Sequence, residues 1–463
     1  KAAALYEELY QSAPDNFVYY EGLRRSYTQL KEYGKAVQLV KRRLALTPTD
    51  PSLIVGLGGL YVQMGQRQTA DSLWRSILQR DPKNTGLYRL VASQMIEYRL
   101  YEEATRIYRD ARVAADNPSL FAEDLASLFA ALLQYDSATR EYIALLNASQ
   151  RQPATSLQQL AYVQSRLASF TFRPEGLQAA LGVVRTEVSA DPGNALLRRL
   201  LAWLLMEQRN YDAALEEYRT IDRLSSGNGA EIFSFAQRAA QDRSYRVAAR
   251  GFRDVVEHPG ARSLHAQSRF GYARALEQLI SSPDAPAADL RTTPSDTASR
   301  RAPESSPTVE GVLALYQSLV ADYPRTETAA RALYRIGVLR HERLSDLDGA
   351  RSAFQEVREL PAARGLATDA SFRIAEILLE QNNLGQAREA YSRLRRQQQP
   401  EVQQRAAFGL AELEYFEGRF DSASTAFSRL TANTGSDLAN DAIGYLTFLQ
   451  QNGGAPDALK DFA

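Results

Sequence analysis

Cysteine is absent from all 463 residues of the sequence. This absence excludes disulfide bonds, metal sites built on thiolates and cysteine nucleophiles. A chain without cysteine is typical of exported proteins in a bacterial envelope compartment, although cytoplasmic chains of some bacteria lack it too. The composition therefore favours a periplasmic or envelope-associated protein and leaves the cytoplasm as the alternative.

Neither sign of charge is in excess, because Lys+Arg and Asp+Glu both number 55. A nucleic-acid-binding protein needs a basic surplus to neutralise phosphates, so no nucleic-acid partner is expected.

Long apolar runs are also missing. No segment approaches the roughly 18 consecutive apolar residues of a membrane-spanning helix, and no direct membrane span is predicted.

Residues for catalysis are sparse. The three histidines, His258, His265 and His341, have neither metal-ligand spacing nor an HExxH context. No GxSxG motif is present, and the glycine-rich run at 56–59 has no preceding strand that would make it a phosphate loop. We therefore expect no enzyme activity, no metal and no cofactor.

What the sequence does contain is a repeat. Small residues recur at intervals of about 34, with a slip of eight residues before Ala180 and a disturbed unit around Val312. The series of alanines is Ala36, Ala70, Ala104, Ala138, Ala180, Ala214, Ala248, Ala350, Ala387 and Ala423. A large side chain follows each of these positions by four residues, and Pro48, Pro82, Pro192 and Pro324 close four of the units. This spacing predicts a pair of helices in each unit, with the alanine and the large residue on one face of the second helix.

The unit with Ile54, Leu57, Gly58, Tyr61, Ala70, Trp74 and Pro82 resembles the tetratricopeptide repeat family closely. The resemblance extends over nearly the whole chain, apart from residues 281–306. It implies an all-α fold, an α-solenoid in which about ten to eleven antiparallel helix pairs form a right-handed superhelix. It also implies a scaffold that binds proteins or peptides and is not an enzyme.

The second half has a narrower resemblance. Residues 314–324 and 329–337 are similar to the repeats of bacterial envelope proteins of the Tol-Pal coordinator and barrel-assembly lipoprotein types. Those proteins are periplasmic scaffolds. The similarity covers about two repeats and implies the same compartment.

The register divides the chain into four parts. Residues 1–16 are predicted as the second helix of an incomplete repeat, 17–280 as an N-terminal array and 307–463 as a C-terminal array that ends in an incomplete repeat begun by Ala458 and Phe462. Residues 281–306 are rich in Pro, Ser and Ala and have no hydrophobic period, which indicates a flexible insert within one repeat. It is either a tolerated surface insertion or a docking or regulatory segment. Arrays cut within a unit suggest that the chain belongs to a longer protein, and the alternative is that both ends are frayed caps.

In the family, the first helix of each unit lines a concave groove, so inward-facing residues follow from the register. The candidates for partner binding are Arg89, Arg199, Trp203, Met206, Phe233, Tyr334, Phe372, Phe408 and Tyr415. Trp203 with Arg199 one turn earlier is the strongest pair, because an aromatic side chain and an arginine typically anchor protein interfaces. Packing against neighbouring helices is the alternative role for each.

One binding mechanism of the family is not expected. The family's clamp for a C-terminal carboxylate uses Lys and Asn on successive first helices, and these types are missing at the corresponding positions, which carry Glu21, Arg25, Val55, Gly59, Arg89 and Ser93. The leading hypothesis is a scaffold that binds an extended peptide or a partner domain in an envelope complex. The rival is a cytoplasmic regulatory or sensor module attached to an output domain. The oligomeric state does not follow from the sequence.

Overall fold

The computed structural model describes residues 1–149, 153–225, 227–281, 307–363, 365–431, 437–453 and 459. It divides into two compact units, Lys1–Glu217 and Tyr218–Ala463. Within these described residues every regular element is helical. The predicted insert lies outside them except for Ser281, and so do Ala458 and Phe462 of the predicted last repeat.

The first unit holds twelve complete helices among its described residues, and a thirteenth crosses into the second unit. They are α1 (Ala2–Ser12), α2 (Phe17–Gln29), α3 (Tyr33–Leu46), α4 (Pro51–Gln63), α5 (Arg67–Arg80), α6 (Thr85–Glu97), α7 (Tyr101–Ala115), α8 (Ala122–Ala131), α9 (Tyr135–Ser149), α10 (Pro153–Thr171), α11 (Pro174–Ala190), α12 (Ala195–Glu207) and α13 (Tyr211–Leu224).

The described residues of the second unit continue the same alternation, with two short 3₁₀ turns at Arg262–Leu264 and Pro361–Ala363. The helices are α14 (Ala230–Gln241), α15 (Tyr245–Glu257), α16 (His265–Ser281), α17 (Val309–Asp322), α18 (Glu327–Leu344), α19 (Leu347–Glu359), α20 (Ala367–Glu380), α21 (Leu384–Arg395), α22 (Pro400–Phe416), α23 (Phe420–Leu430) and α24 (Asp437–Asn452). In chain order, α2 to α23 form eleven pairs, each a first helix followed by a second helix.

The repeat pattern found in the sequence is the packing pattern of the helices. All ten register alanines are fully buried, and Val312 at the disturbed position is 1% exposed. Such small side chains let the second helix approach the first closely, and the large residue one turn later fills the remaining space. The predicted all-α repeat fold is therefore confirmed.

The prolines of the pattern mark where second helices end. Four second helices each end two residues before one of these prolines: α3 at Leu46, α5 at Arg80, α11 at Ala190 and α17 at Asp322. Proline disfavours the helical conformation of the residue before it and lacks the N–H that a helix interior requires.

In most pairs, the turn between the two helices contains one residue in the left-handed conformation. It lies five positions before the buried alanine of the repeat pattern. Nine pairs share this feature, at Lys31, Gly65, Arg99, Leu133, Arg209, Arg243, Ser345, Asn382 and Gly418. Only two of the nine are glycine, although a side chain usually disfavours positive φ. The pair of Ala180 lacks this residue, and only Phe172 and Arg173 separate α10 from α11 there. Most of the connection between α16 and α17, which precedes Val312, lies outside the described residues.

Candidate functional site

A row of aromatic residues follows the first helices of the second unit. One comes from each of α14, α16, α18, α20, α22 and α24, and we call this set the aromatic row: Phe233, Phe270, Tyr334, Phe372, Phe408 and Tyr445. The first five each pack on the large aromatic residue of the second helix in their own pair, with ring centroids 5.3 to 6.5 Å apart. The register of the repeat therefore fixes the position of each ring.

Arginines from the following first helix contact three members of the row, two of them by stacking on the ring. The Arg331 guanidinium lies 4.6 Å from the Phe270 ring centroid, and Arg405 lies 4.1 Å from that of Phe372. Arg373 of α20 is hydrogen-bonded to Tyr334. Stacking of this kind places a planar cation over a ring face and links neighbouring repeats.

Carboxylates neutralise two of these three arginines. Arg405 reaches Glu376 at 2.8 Å and Asp369 at 3.7 Å. Arg373 lies 3.4 Å from Glu342 and 3.6 Å from Glu376. Arg331 is exposed and has no carboxylate partner among the residues that the structure describes. It is the one cation of the three whose charge stays available to a ligand.

A buried carboxylate lies next to this surface. Glu277 of α16 is 2% exposed. It pairs with Arg274 at 2.6 Å and with Arg335, and it accepts a 2.8 Å hydrogen bond from the Tyr316 hydroxyl. Burial alone would raise the pKa of Glu277, but the two guanidinium groups hold it below its ordinary value. The cluster joins α16, α17 and α18.

A cavity of about 550 Å³ opens on the first-helix face between α14, α16 and α18. Its floor is aromatic, with Phe233 and Phe270 from the row and Phe252 behind them. Its polar lining consists mainly of glutamines and arginines, namely Gln237, Gln241, Gln267, Gln278, Arg274 and Arg331, with one carboxylate from Glu327. This composition suits recognition of a polar ligand that also has apolar surface.

The candidate residues of the first unit lie on its first helices. Arg89 is exposed, pairs with Asp124 at 2.9 Å and stacks on Phe121 at 4.9 Å. It also borders a cavity of about 700 Å³ between α6 and α8. The other three are half-buried on α12: Arg199, Trp203 and Met206.

The candidate residues of the second unit divide by exposure. Phe233, Tyr334 and Phe408 are half-buried and keep part of their surface open. Phe372 and Tyr415 are only 2% and 4% exposed, so their rings belong to the core. The guanidinium of Arg405 covers the first, and Phe416, Phe420, Tyr445 and Phe448 surround the second. Sequence reasoning missed Phe270, Arg331 and the glutamines, because the disturbed unit around Val312 hid the register of α16.

Helix α24 is held by a carboxyl group with a raised pKa. The Tyr445 hydroxyl of α24 donates a 3.0 Å hydrogen bond to Glu412 of α22. Burial, with the nearby charges of Glu376 and Asp441, raises the pKa of Glu412 to about 7, although the Tyr445 hydrogen bond acts against this rise. The folded state therefore favours the protonated form at this site.

This raised pKa predicts a pH dependence. Stability from Glu412 is fully present below the ordinary value of 4.5 and is lost as pH rises through about 7. The total loss should be about 2–3 kcal/mol. Urea unfolding at pH 4.5 and pH 8 would measure it. Glu412→Gln should remove this part of the pH dependence, whereas Glu389→Gln on the exposed face should retain it. Parallel pH profiles for wild type and Glu412→Gln would contradict the assignment.

Two properties of the described residues bear on function. None of their helices combines the length and apolar character needed to cross a bilayer. Nor do they contain a group of three or more His, Asp or Glu placed to hold a metal ion.

Comparison with known proteins supports the repeat. Residues 175–229 and 372–437 match the tetratricopeptide repeat family. No curated protein matches the chain.

Similar solved structures include the P58(IPK) TPR domain, at 17% identity over 79% of this chain and 97% of that one, with a TM-score of 0.25. Yeast Tom70 aligns at 12% identity over 94% of both chains, with a TM-score of 0.31. The C-terminal part of a TPR repeat-containing protein from Cytophaga hutchinsonii aligns at 12% identity over 60% of this chain and 98% of its own, with a TM-score of 0.37.

Proposed function

We propose that the protein is a non-catalytic scaffold that binds an extended segment of a partner protein on its first-helix faces. The observation that carries the proposal is the aromatic row, in which all members except Phe372 are half-buried and come from separate repeats. Partly open rings on several first helices offer separate contacts to an extended chain. In the first unit, Trp203 and Arg199 on α12 are the corresponding anchors.

The test is a selection of phage-displayed random 12-residue peptides on the full chain. Wild type should enrich a set of peptides, and at least one of Trp203→Ala, Arg199→Ala and Phe233→Ala should weaken the binding of an enriched peptide about tenfold. Arg80→Ala, on the exposed end of the second helix α5, is the matched control and should bind normally. Equal binding by all four variants would refute the assignment to first helices.

We further propose that this scaffold belongs to a bacterial envelope complex. The support is the lack of cysteine in 463 residues and the similarity of residues 314–324 and 329–337 to envelope repeats. Fractionation of cells that produce the full gene product would test the compartment. Recovery with the periplasm or the membranes is the expected result. Recovery with the cytoplasm would favour the rival hypothesis, a cytoplasmic regulatory or sensor module attached to an output domain.

A further inference from the structure

We propose that the cavity between α14, α16 and α18 binds an extended peptide segment that carries a carboxylate. The carboxylate would pair with Arg331, and the glutamines would hydrogen-bond the main chain of the peptide. This inference rests on the proposed function and specifies the chemistry of the partner at one site.

The glutamines are the first support. Gln237 and Gln241 come from α14, and Gln267 and Gln278 come from α16. None of the four side chains hydrogen-bonds to another residue in the described part of the chain. A primary amide has two donors and one acceptor, so it can satisfy both the C=O and the N–H of a peptide group. Unpartnered amides that line one cavity are therefore complementary to an extended main chain.

Their spacing fits a short peptide. Gln267 and Gln278 are eleven residues apart on one helix, which separates them by roughly 16 Å along its axis. An extended chain advances about 3.3 Å per residue. The two amides therefore span about five residues of a bound peptide.

The charge of the site is the second support. Three arginines, Arg274, Arg331 and Arg335, meet only two carboxylates, Glu277 and Glu327, at and beneath the cavity. One positive charge remains in excess, in a chain whose formal charge is zero. Two of the arginines are engaged by the buried Glu277, which leaves Arg331 exposed at the rim.

Arg331 is also held in place. Its guanidinium stacks 4.6 Å from the Phe270 ring centroid, which fixes the plane of the group and keeps its outward N–H donors free. A planar guanidinium presented in this way matches a carboxylate in two parallel hydrogen bonds. The neighbouring Arg373 and Arg405 are not available to pair with a ligand carboxylate, because each already forms an ion pair with a carboxylate of the protein.

The experiment begins with peptides selected from the random 12-residue library on the full chain. Those that bind this site should be enriched in Asp or Glu. One such peptide, labelled with fluorescein, is then measured by fluorescence anisotropy against wild type and Arg331→Gln. Arg331→Gln should weaken binding about tenfold or more. Arg358→Gln, on the exposed face of α19, is the matched control and should change the Kd by less than about twofold.

A thermodynamic cycle separates direct pairing from indirect effects. Replacing the acidic residue of the peptide by its amide should weaken binding to wild type as much as Arg331→Gln does, and should have little further effect on Arg331→Gln. Gln267→Leu should weaken peptide binding, whereas the control substitution Gln355→Leu on α19 should not. Amidation of the peptide's C-terminus should leave binding unchanged, because the pairing carboxylate belongs to an Asp or Glu side chain, and loss of binding on amidation would overturn this pairing.

The outcomes distinguish this inference from the proposed function. Enriched peptides without acidic residues that bind Arg331→Gln normally but lose affinity for Trp203→Ala would overturn the cavity site and leave the scaffold intact. The pairing would also be overturned if the losses of binding free energy from the peptide substitution and from Arg331→Gln were additive. Failure to enrich any peptide would contradict both proposals.

Discussion

Glu277→Ala should lower the free energy of unfolding of the second unit by about 3–5 kcal/mol. The substitution leaves Arg274, Arg335 and the Tyr316 hydroxyl without the carboxylate that satisfies them, in a site where Glu277 is 2% exposed. Breaking a buried pair costs far more than the pair contributes, because an uncompensated charge remains in a poorly solvated place. Urea unfolding followed by circular dichroism would measure the loss.

The control for this prediction is an exposed ion pair. Glu389 and Arg393 lie 3.1 Å apart on α21, with side chains 71% and 70% exposed. Water solvates both groups well, so Glu389→Ala should cost less than about 1 kcal/mol. Hydrogen exchange should locate the Glu277→Ala effect in α16, α17 and α18. Similar losses for the two variants would show that the Glu277 cluster does not hold these helices together.

Trp74→Ala should cost a comparable amount, about 3–5 kcal/mol, in the first unit. The indole is 1% exposed, and its N–H donates a 3.1 Å hydrogen bond to the Val55 carbonyl of α4. Its ring also occupies the space where Gly58 lacks a Cβ, since a methyl group there would overlap the indole. The substitution therefore leaves a cavity at the closest approach of α4 and α5.

The chain has only two tryptophans, and the second gives the matched control. Trp203 is half-buried on α12, so Trp203→Ala should cost clearly less stability, while we expect it to weaken partner binding. Thermal unfolding by circular dichroism would compare the two. In a Trp203→Phe background, tryptophan fluorescence reports Trp74 alone. Equal losses at the two positions would contradict the division into a core ring and a surface ring.

The repeat could be predicted from the sequence because it depends on local and periodic features. Buried alanines and large residues four positions later are required in every pair, so they recur and can be counted. The left-handed turn residues could not be predicted, because most are Lys, Arg, Leu, Ser or Asn. The geometry of the turn imposes the conformation there, and the residue type adapts to it.

The candidate site was less predictable for a related reason. Whether an inward-facing ring is open depends on the next repeat: Arg405 buries Phe372, while Phe233 remains part of an open cavity. Phe270 and Arg331 became recognisable only once α16 and α18 were seen as neighbours in space, since the insert separates them in sequence. Register gives the direction of a side chain, and the neighbouring helix decides its exposure.

The central claim is that a partner polypeptide binds to the first-helix face. Photo-crosslinking of an enriched peptide tests it most directly, with p-benzoyl-phenylalanine placed in the full chain at Gln237 of α14 or at Gln355 of α19. The account predicts crosslinks from the first-helix position and none from the second-helix position. Crosslinks from Gln355 alone would contradict it.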